Sequence, residues 1–324
     1  MATKVNMDTV KKIFITGGAG FMGRWTVKNL IEKGHKVWVL DNLSNGFEKN
    51  IEEFKDKLQD FIVGDVKDEK LLSKLFENNF DICIHFAAAI DVQNSIDEPE
   101  RNFNDNCVGA FNVLEECRKH NTKIVFISSA LVYKAADFGK KITEEHPVNP
   151  SCPYAANKIN GENLVMSYFK TYNLPAVILR PFSIYGPYQR CDSEGGVMSI
   201  FINKMLKNEP LEVFGNGEQG RDFFYIEDCA EFVARAALSD KAIGHVFNAG
   251  YGEEVKIKDL AEKIAFNKVE VKFILHHHPH AEVMNMRADS TKAENILNWK
   301  PTVNLEQGII KTTRWLQNNH RYNG

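Results

Sequence analysis

Nothing in this sequence approaches the roughly 20 consecutive apolar residues that span a bilayer, although hydrophobic residues make up 44% of the 324. Residues 1–12 are polar and lack the apolar centre of a secretory signal. An excess of either charge is missing too, with 40 Lys and Arg against 43 Asp and Glu. That balance argues against a nucleic-acid surface and against an acidic, solvating tail. An anionic ligand must therefore be gripped locally, by backbone amides and a few placed cations. Cysteines are few and unpaired in spacing: Cys83, Cys107, Cys117, Cys152, Cys191 and Cys229 form no metal-ligand motif. Several lie in apolar runs, as buried free thiols do in a reducing compartment, and the chain reads as cytoplasmic. Repeats, low-complexity tracts and long linkers are also absent.

What is present is an alternation of strand and helix. Apolar runs at 12–16, 37–40, 60–63, 81–86 and 123–128 read as buried strands, with helical spacing at 21–33, 108–120 and 155–172 between or after them. Such alternation predicts a parallel sheet covered on both faces. After residue 179 the pattern loosens. The Pro-, Gly- and Tyr-rich stretch 181–196 reads as loop, followed by a helix at 199–207, a strand at 211–214, a late strand at 245–248 and helices at 259–265, 291–297 and 305–318. The expected fold is α/β, a Rossmann-type doubly wound parallel sheet with a smaller, interwoven C-terminal substrate lobe. Residues 1–180 would form the dinucleotide domain with a return segment near 223–250, and 181–222 and 251–324 the substrate lobe.

Gly17, Gly20 and Gly23 form a G-x-x-G-x-x-G turn between the first strand and the first helix. Glycine lets backbone approach a pyrophosphate, and a helix N-terminus adds unpaired amides and partial positive charge. A glycine motif alone is weak, but Asp41 ends the second strand 18 residues beyond Gly23. An acid there accepts from the adenosine ribose hydroxyls and repels a 2′-phosphate, favouring NAD over NADP; its bland alternative is a turn-forming Asp-Asn pair. Arg24 reads as a solvated helix residue.

Tyr154 and Lys158 stand four residues apart at the start of a helix and share one face. A phenol titrates near 10, and lowering it to neutrality takes about 4 kcal/mol, which a neighbouring ammonium can supply. The pattern recurs by chance as an ordinary surface pair. Ser128 and Ser129 end a strand on the sheet edge where open α/β sheets bind ligands; strand-end serines also often serve only local backbone.

Together these pieces resemble the extended short-chain dehydrogenase/reductases, and among them the UDP-galactose 4-epimerase-like nucleotide-sugar enzymes. The matching stretches are TGGAGFMG (16–23), DN (41–42), GDV (64–66), HFAAA (85–89), FISSALVY (126–133), PYAANK (153–158), LRPFSIYGP (179–187), FGNGEQGRDFFYIED (214–228), FNAG (247–250) and ADSTKAENILNWKP (288–301), which run along nearly the whole chain. The resemblance implies NAD held by Gly17, Gly20, Phe21, Met22, Gly23, Asp41 and Asn42, with Asp65 and Val66 at the adenine. Phe86, Ala87 and Ala88 would line the groove, and Asn106 would lie near it. Tyr154 would be the base, Lys158 the ribose ligand that lowers the phenol's pKa, and Ser129 the holder of the sugar hydroxyl. Ser183, Glu212, Val213, Phe214, Arg221 and Arg287 would bind the nucleotide diphosphate of the substrate, and two helices near 108–120 and 155–172 would pair two copies into a homodimer.

The chain departs from its relatives' pattern at three places. Ser183 replaces an Asn, Lys134 a Gly, and the tract His276, His277, His278, Pro279, His280 falls where a phosphate-binding Arg is common. A His-rich tract can hold metal, but a plain loop is the better reading and no metal is expected. The activity expected is 4-epimerisation of a nucleotide sugar through a transient 4-keto sugar. A 4-dehydrogenase would release that keto product instead. A 4,6-dehydratase ranks lower, because Ala130 and Leu131 stand where dehydratases carry acids. A non-catalytic NAD sensor would have no need of Tyr154, Lys158 and Ser129 together.

Overall fold

The structure is a computed structural model that describes residues 10–192, 196–276 and 278–319. In chain order its elements begin with β1 (Lys12–Thr16), α1 (Phe21–Glu32), β2 (Lys36–Asp41), β3 (Asp60–Val63), α2 (Glu69–Phe76), β4 (Ile82–His85), α3 (Val92–Asp97) and α4 (Pro99–Phe103). There follow α5 (Gly109–His120), β5 (Lys123–Ile127), α6 (Pro153–Tyr172), β6 (Ala176–Pro181), β7 (Ser183–Tyr185), α7 (Val197–Leu206), β8 (Leu211–Phe214), β9 (Gly220–Arg221) and β10 (Phe223–Tyr225). The chain continues through α8 (Ile226–Leu238), β11 (Val246–Ala249), β12 (Val255–Lys256), α9 (Ile257–Ala265), β13 (Val271–Ile274), α10 (Thr291–Leu297) and α11 (Leu305–Asn318).

Among the described residues two compact units emerge, one of residues 10–128, 152–180 and 230–246, the other of 129–151, 181–192, 196–229, 247–276 and 278–319. Residues 129–151, expected with the first unit, cluster with the second. The central sheet runs β11-β6-β5-β4-β1-β2-β3, and each pairing from β6 to β3 is parallel. Strand order reverses between β1 and β4, the switch point where doubly wound sheets bind ligands.

The strands of the first unit are apolar because helices cover both faces. Phe14 of β1 stacks on Phe80 at 4.9 Å and meets Phe76 of α2 edge-on at 5.4 Å. Burial of each such ring contributes about 1.5–3 kcal/mol. A glycine inside a helix costs about 1 kcal/mol relative to alanine, yet α6 carries Gly161 where a Cβ would lie 2.4 Å from the Phe126 ring. That missing methyl lets α6 press against β5, and so sets where Tyr154 and Lys158 stand. Lys123, at the start of β5, donates from Nζ to the carbonyls of Ala236, Ala237 and Ser239, capping the end of α8.

The second unit uses short pairings: β7 with β10 and β8 with β13, both parallel, and β9 with β12 antiparallel. The stretch 181–196, expected to be loop, contains β7. Asp228 accepts from the Thr302 amide (3.0 Å) and hydroxyl (2.7 Å) and from the Val303 amide (2.9 Å). Those bonds dock the NWKP segment on the start of α8. Among the described residues no helix is long and apolar enough to cross a membrane.

Candidate active site

The turn after β1 is built on glycine for two separate reasons. Gly17 takes φ +72°, and a Cβ on it would lie 2.7 Å from the Ala87 amide; one on Gly23 would lie 2.1 Å from the Gly17 carbonyl. The chain's own packing therefore demands both. At Gly20 the nearest atom to an added Cβ is 3.2 Å away, so packing there asks for far less. A Cβ on Gly20 would need the Gly17 carbonyl to give by only a few tenths of an ångström. Gly20 is also the N-cap of α1, with no side-chain cap and no acid in the first turn. Phe21, Met22 and Gly23 thus supply a positive helix end ready for a phosphate.

Asp41, at the end of β2, is buried and accepts from the Ala19 amide and the Leu43 amide, each at 2.8 Å. Burial pushes its carboxyl above the usual range, while the amides of Leu43, Ala19 and Gly20 pull it back. Three amide donors still leave the carboxylate a lone pair for a sugar hydroxyl. Asn42 donates to Asp65 at 3.0 Å, so two expected adenosine-side residues are joined. Val66 is buried, and its carbonyl accepts from Asn112 at 3.3 Å. These features fit a dinucleotide.

Phe86 and Ala87 follow β4, tied to β1 through Thr16: Phe86 N donates to its carbonyl at 3.0 Å and Ala87 N to its hydroxyl at 3.3 Å. Asn106 lies in a π-helical turn at Asn104–Val108, a feature common at functional sites. Its side chain accepts from the Ala89 amide (2.7 Å) and donates to the Ala89 carbonyl (3.0 Å) and to Asn102 (3.1 Å). Asn157 of α6 donates to the same Asn102 oxygen at 2.9 Å. Asn106 acts here as a clamp on the 86–89 loop. Three asparagines spread over 56 residues gave no sequence signal of this.

Tyr154 and Lys158 are both buried, at 7% and 5% exposure. The Lys158 ammonium donates to the Ile127 carbonyl at 2.9 Å and sits 5.5 Å from the Phe126 ring centre and 5.7 Å from that of Tyr154. Burial lowers the Lys158 pKa to about 8, against opposing pulls from Glu162 and Cys107. His85 is pushed down to about 3 by burial and by Lys158, so it is neutral at physiological pH; its Nδ1 lies 2.8 Å from the Thr16 hydroxyl.

Arg24 overturns its expectation. It is fully buried, donates to the Asn50 carbonyl at 2.8 Å, pairs with Glu53 and lies 4.7 Å over the Trp25 ring. Its work is to hold the segment after β2 against α1, and an isolated Arg in a helix pattern carries no sign of that.

The remaining expected residues lie in the second unit. Ser129 caps a single turn at Ala130–Val132, accepting from the Leu131 amide at 3.2 Å. The Ser183 amide donates to the Asp222 carbonyl at 3.0 Å. Arg221 donates to the carbonyls of Gly220 and Val283 and pairs with Glu282, whose other oxygen lies 2.9 Å from His276 Nε2. Arg287 donates from Nε to the Gly252 carbonyl at 2.8 Å. On β8, Glu212 pairs with Lys204, Val213 is buried, and Phe214 is exposed with its ring 5.7 Å from that of His276. His277 lies outside the described residues. Among those described, no cluster of His, Cys, Asp or Glu could hold a metal.

A doubly wound sheet, a glycine turn at its switch point, an acid closing β2 and a buried Tyr-Lys pair define a dinucleotide-dependent oxidoreductase scaffold. The chain belongs to the NAD dependent epimerase/dehydratase family, whose family model matches residues 13–250. It is 38% identical to a putative UDP-glucose 4-epimerase of Methanocaldococcus jannaschii, over 95% of this chain and 99% of that one. The X-ray structure of Pal from Bacillus thuringiensis is 48% identical and superposes with a TM-score of 0.94, covering 95% of this chain and 99% of that chain. The Thermus thermophilus UDP-glucose 4-epimerase in complex with NAD is 30% identical with a TM-score of 0.87, over 94% and 99%. Matches at lower identity include a dTDP-glucose 4,6-dehydratase of Xanthomonas campestris, at 28% over 95% of this chain. Membership therefore establishes the NAD-dependent chemistry and leaves its outcome to the residues.

Proposed function

We propose that this enzyme is a 4-epimerase of nucleotide-diphosphate sugars, passing through a transient 4-keto sugar. Bound NAD would supply hydride chemistry, taking the C4 hydrogen with its two electrons and, once the keto sugar has turned over, returning it to the opposite face. Tyr154, as phenolate, takes the proton of the sugar C4 hydroxyl and later returns it. Lys158 holds the ribose and keeps the phenol acidic from its anchored place on Ile127. The Ser129 hydroxyl, which accepts from Leu131, keeps its own proton to donate to the sugar oxygen. Gly17, Gly20 and the first turn of α1 take the pyrophosphate, Asp41 the ribose, and Asp65 with Val66 the adenine. Arg221, Arg287, Ser183 and the 212–214 strand take the substrate's nucleotide.

The observation that carries the choice of outcome is the turn after Ser129. Ala130 and Leu131 are its first residues and no acid lies in it, so expulsion of water from the sugar has no general acid there. A second reading, release of the 4-keto sugar, rests on the same residues and differs only in how long that sugar is kept. We place the enzyme in the cytoplasm, because five of its six free cysteines are buried thiols. We further propose a homodimer through α5 and α6, where Phe111 and Tyr172 are exposed.

The test is NAD-loaded enzyme with a panel of UDP-, GDP-, CDP- and dTDP-sugars, followed by NMR and by NADH absorbance. A C4 epimer without net NADH supports epimerisation. Stoichiometric NADH, a released keto sugar or a 6-deoxy product overturns it. Light scattering at the mass of one chain would remove the dimer.

A further inference from the structure

Glu162 stands one helical turn beyond Lys158 and two beyond Tyr154, so all three share a face of α6. It is buried, and so is its partner Arg180, a lone charge in the apolar strand β6. Arg180 Nε donates to Glu162 Oε1 at 2.8 Å, and a second guanidinium nitrogen donates to Oε2. The Ser128 hydroxyl donates to Glu162 Oε1 as well, while the Ser128 amide donates to the Leu179 carbonyl at 2.8 Å. A closed ring results: β6 through Leu179 and Arg180, the end of β5 through Ser128, and α6 through Glu162. The peptide immediately before Ser128 is the one whose carbonyl, on Ile127, anchors the Lys158 ammonium.

Stability alone is a poor reason for this arrangement, since apolar side chains of similar volume usually replace a buried ion pair at no cost. We propose that Glu162, held by Arg180 and Ser128, is a positioning residue that fixes the Ile127 carbonyl and α6 in the register that places Lys158 beside Tyr154. The proposal rests on the reading of Tyr154 and Lys158 as the acid–base pair. The groups facing Lys158 are Tyr154 and Glu162 on α6, His85 on β4, Cys107 in the π-helical turn, and the Phe126 ring and Ile127 carbonyl on β5. His85 and Cys107 are neutral near pH 7, one pushed down and the other pushed up by burial. Glu162 is thus the acidic side chain in that set, and Arg180 reaches Lys158 through it. A displacement of about 1 Å at a reacting group costs up to about 100-fold in rate, the loss that anchoring the Ile127 carbonyl would prevent.

The experiment uses the NAD-loaded holoenzyme and the double variant Glu162→Gln/Arg180→Met, which removes both charges together. Single-turnover reduction of NAD by a nucleotide sugar should slow about tenfold, with the unfolding midpoint and the KM for the sugar unchanged. Lys158, followed by NMR of carbon-13-labelled lysine and assigned with Lys158→Met, should titrate at lower pH than in the wild type. An unchanged rate and an unchanged Lys158 titration would overturn the proposal. If the double variant does not fold, Ser128→Ala decides: a loss of about threefold with the same direction of titration supports the ring, and wild-type behaviour removes it. The lysine titration needs no sugar, so a wild type that forms no epimer would end the epimerase reading and leave this one standing.

Discussion

Two cations show how differently the units treat charge. Lys158, in the first, rests on a carbonyl and two aromatic rings, and the carboxylate that faces it, Glu162, is itself held by Arg180 and Ser128; burial outweighs its pull and lowers the ammonium pKa to about 8. Arg221, in the second, is matched against Glu282, which is shared with His276. A cation with no carboxylate in direct contact keeps its field, whereas one paired with a carboxylate can exchange that partner for an anionic ligand.

The contrast breaks most visibly at Tyr154. Tyr154→Phe keeps the ring and Lys158 but removes the proton acceptor, so kcat should fall about 10³-fold while NAD remains bound; undiminished turnover would take Tyr154 out of the chemistry. Lys158→Met should cost about 10²-fold in kcat. It should also abolish a decline in wild-type activity as pH rises through about 8, where Lys158 loses its charge. Stability moves the opposite way. The folded protein binds this proton less tightly than the unfolded chain does, so burying the charge is destabilising below about 8 and is relieved as pH climbs toward 10.5. Lys158→Met should therefore raise the unfolding midpoint at pH 7, and a lowered midpoint would refute the buried-charge account.

Smaller effects test the turn and the second unit. Gly20→Ala should weaken NAD binding about tenfold with little change in stability. Gly23→Ala, whose Cβ meets the Gly17 carbonyl at 2.1 Å, should lower the unfolding midpoint itself; equal effects from the two would erase the distinction between packing and ligand glycines. Glu282→Gln should free Arg221 and lower the KM for nucleotide sugar about threefold without changing kcat. A raised KM would mean that Glu282 orients the guanidinium rather than competing for it.

Much of the first unit was legible because its signals are local. β1 and β3 fall at the expected residues, and α1 ends one residue short of the expected stop. A buried parallel strand must be an apolar run, and the turn after β1 must carry glycine at 17 and 23, where a Cβ would strike backbone. In the second unit the helices at 291–297 and 305–318 were equally plain. Its two-residue strands β9 and β12, and β7 within a Pro- and Gly-rich stretch, were not, since so few residues hold no period to read. Arg24 was misjudged for a related reason: periodicity ranks residue types by polarity, and a guanidinium buried on aromatic faces violates the ranking.

The sequence alone determined the class of fold, the dinucleotide turn and the Tyr154–Lys158 spacing, because each is a demand on neighbours a few positions apart. Only the tertiary structure decided what those residues rest on. The Ile127 carbonyl under Lys158, the Ser128–Glu162–Arg180 ring, the asparagine clamp on Ala89 and the Glu282 partner of Arg221 join residues 13 to 61 positions apart. Such pairings arise when apolar packing brings distant backbone together and strands polar groups away from water, where each must find a partner.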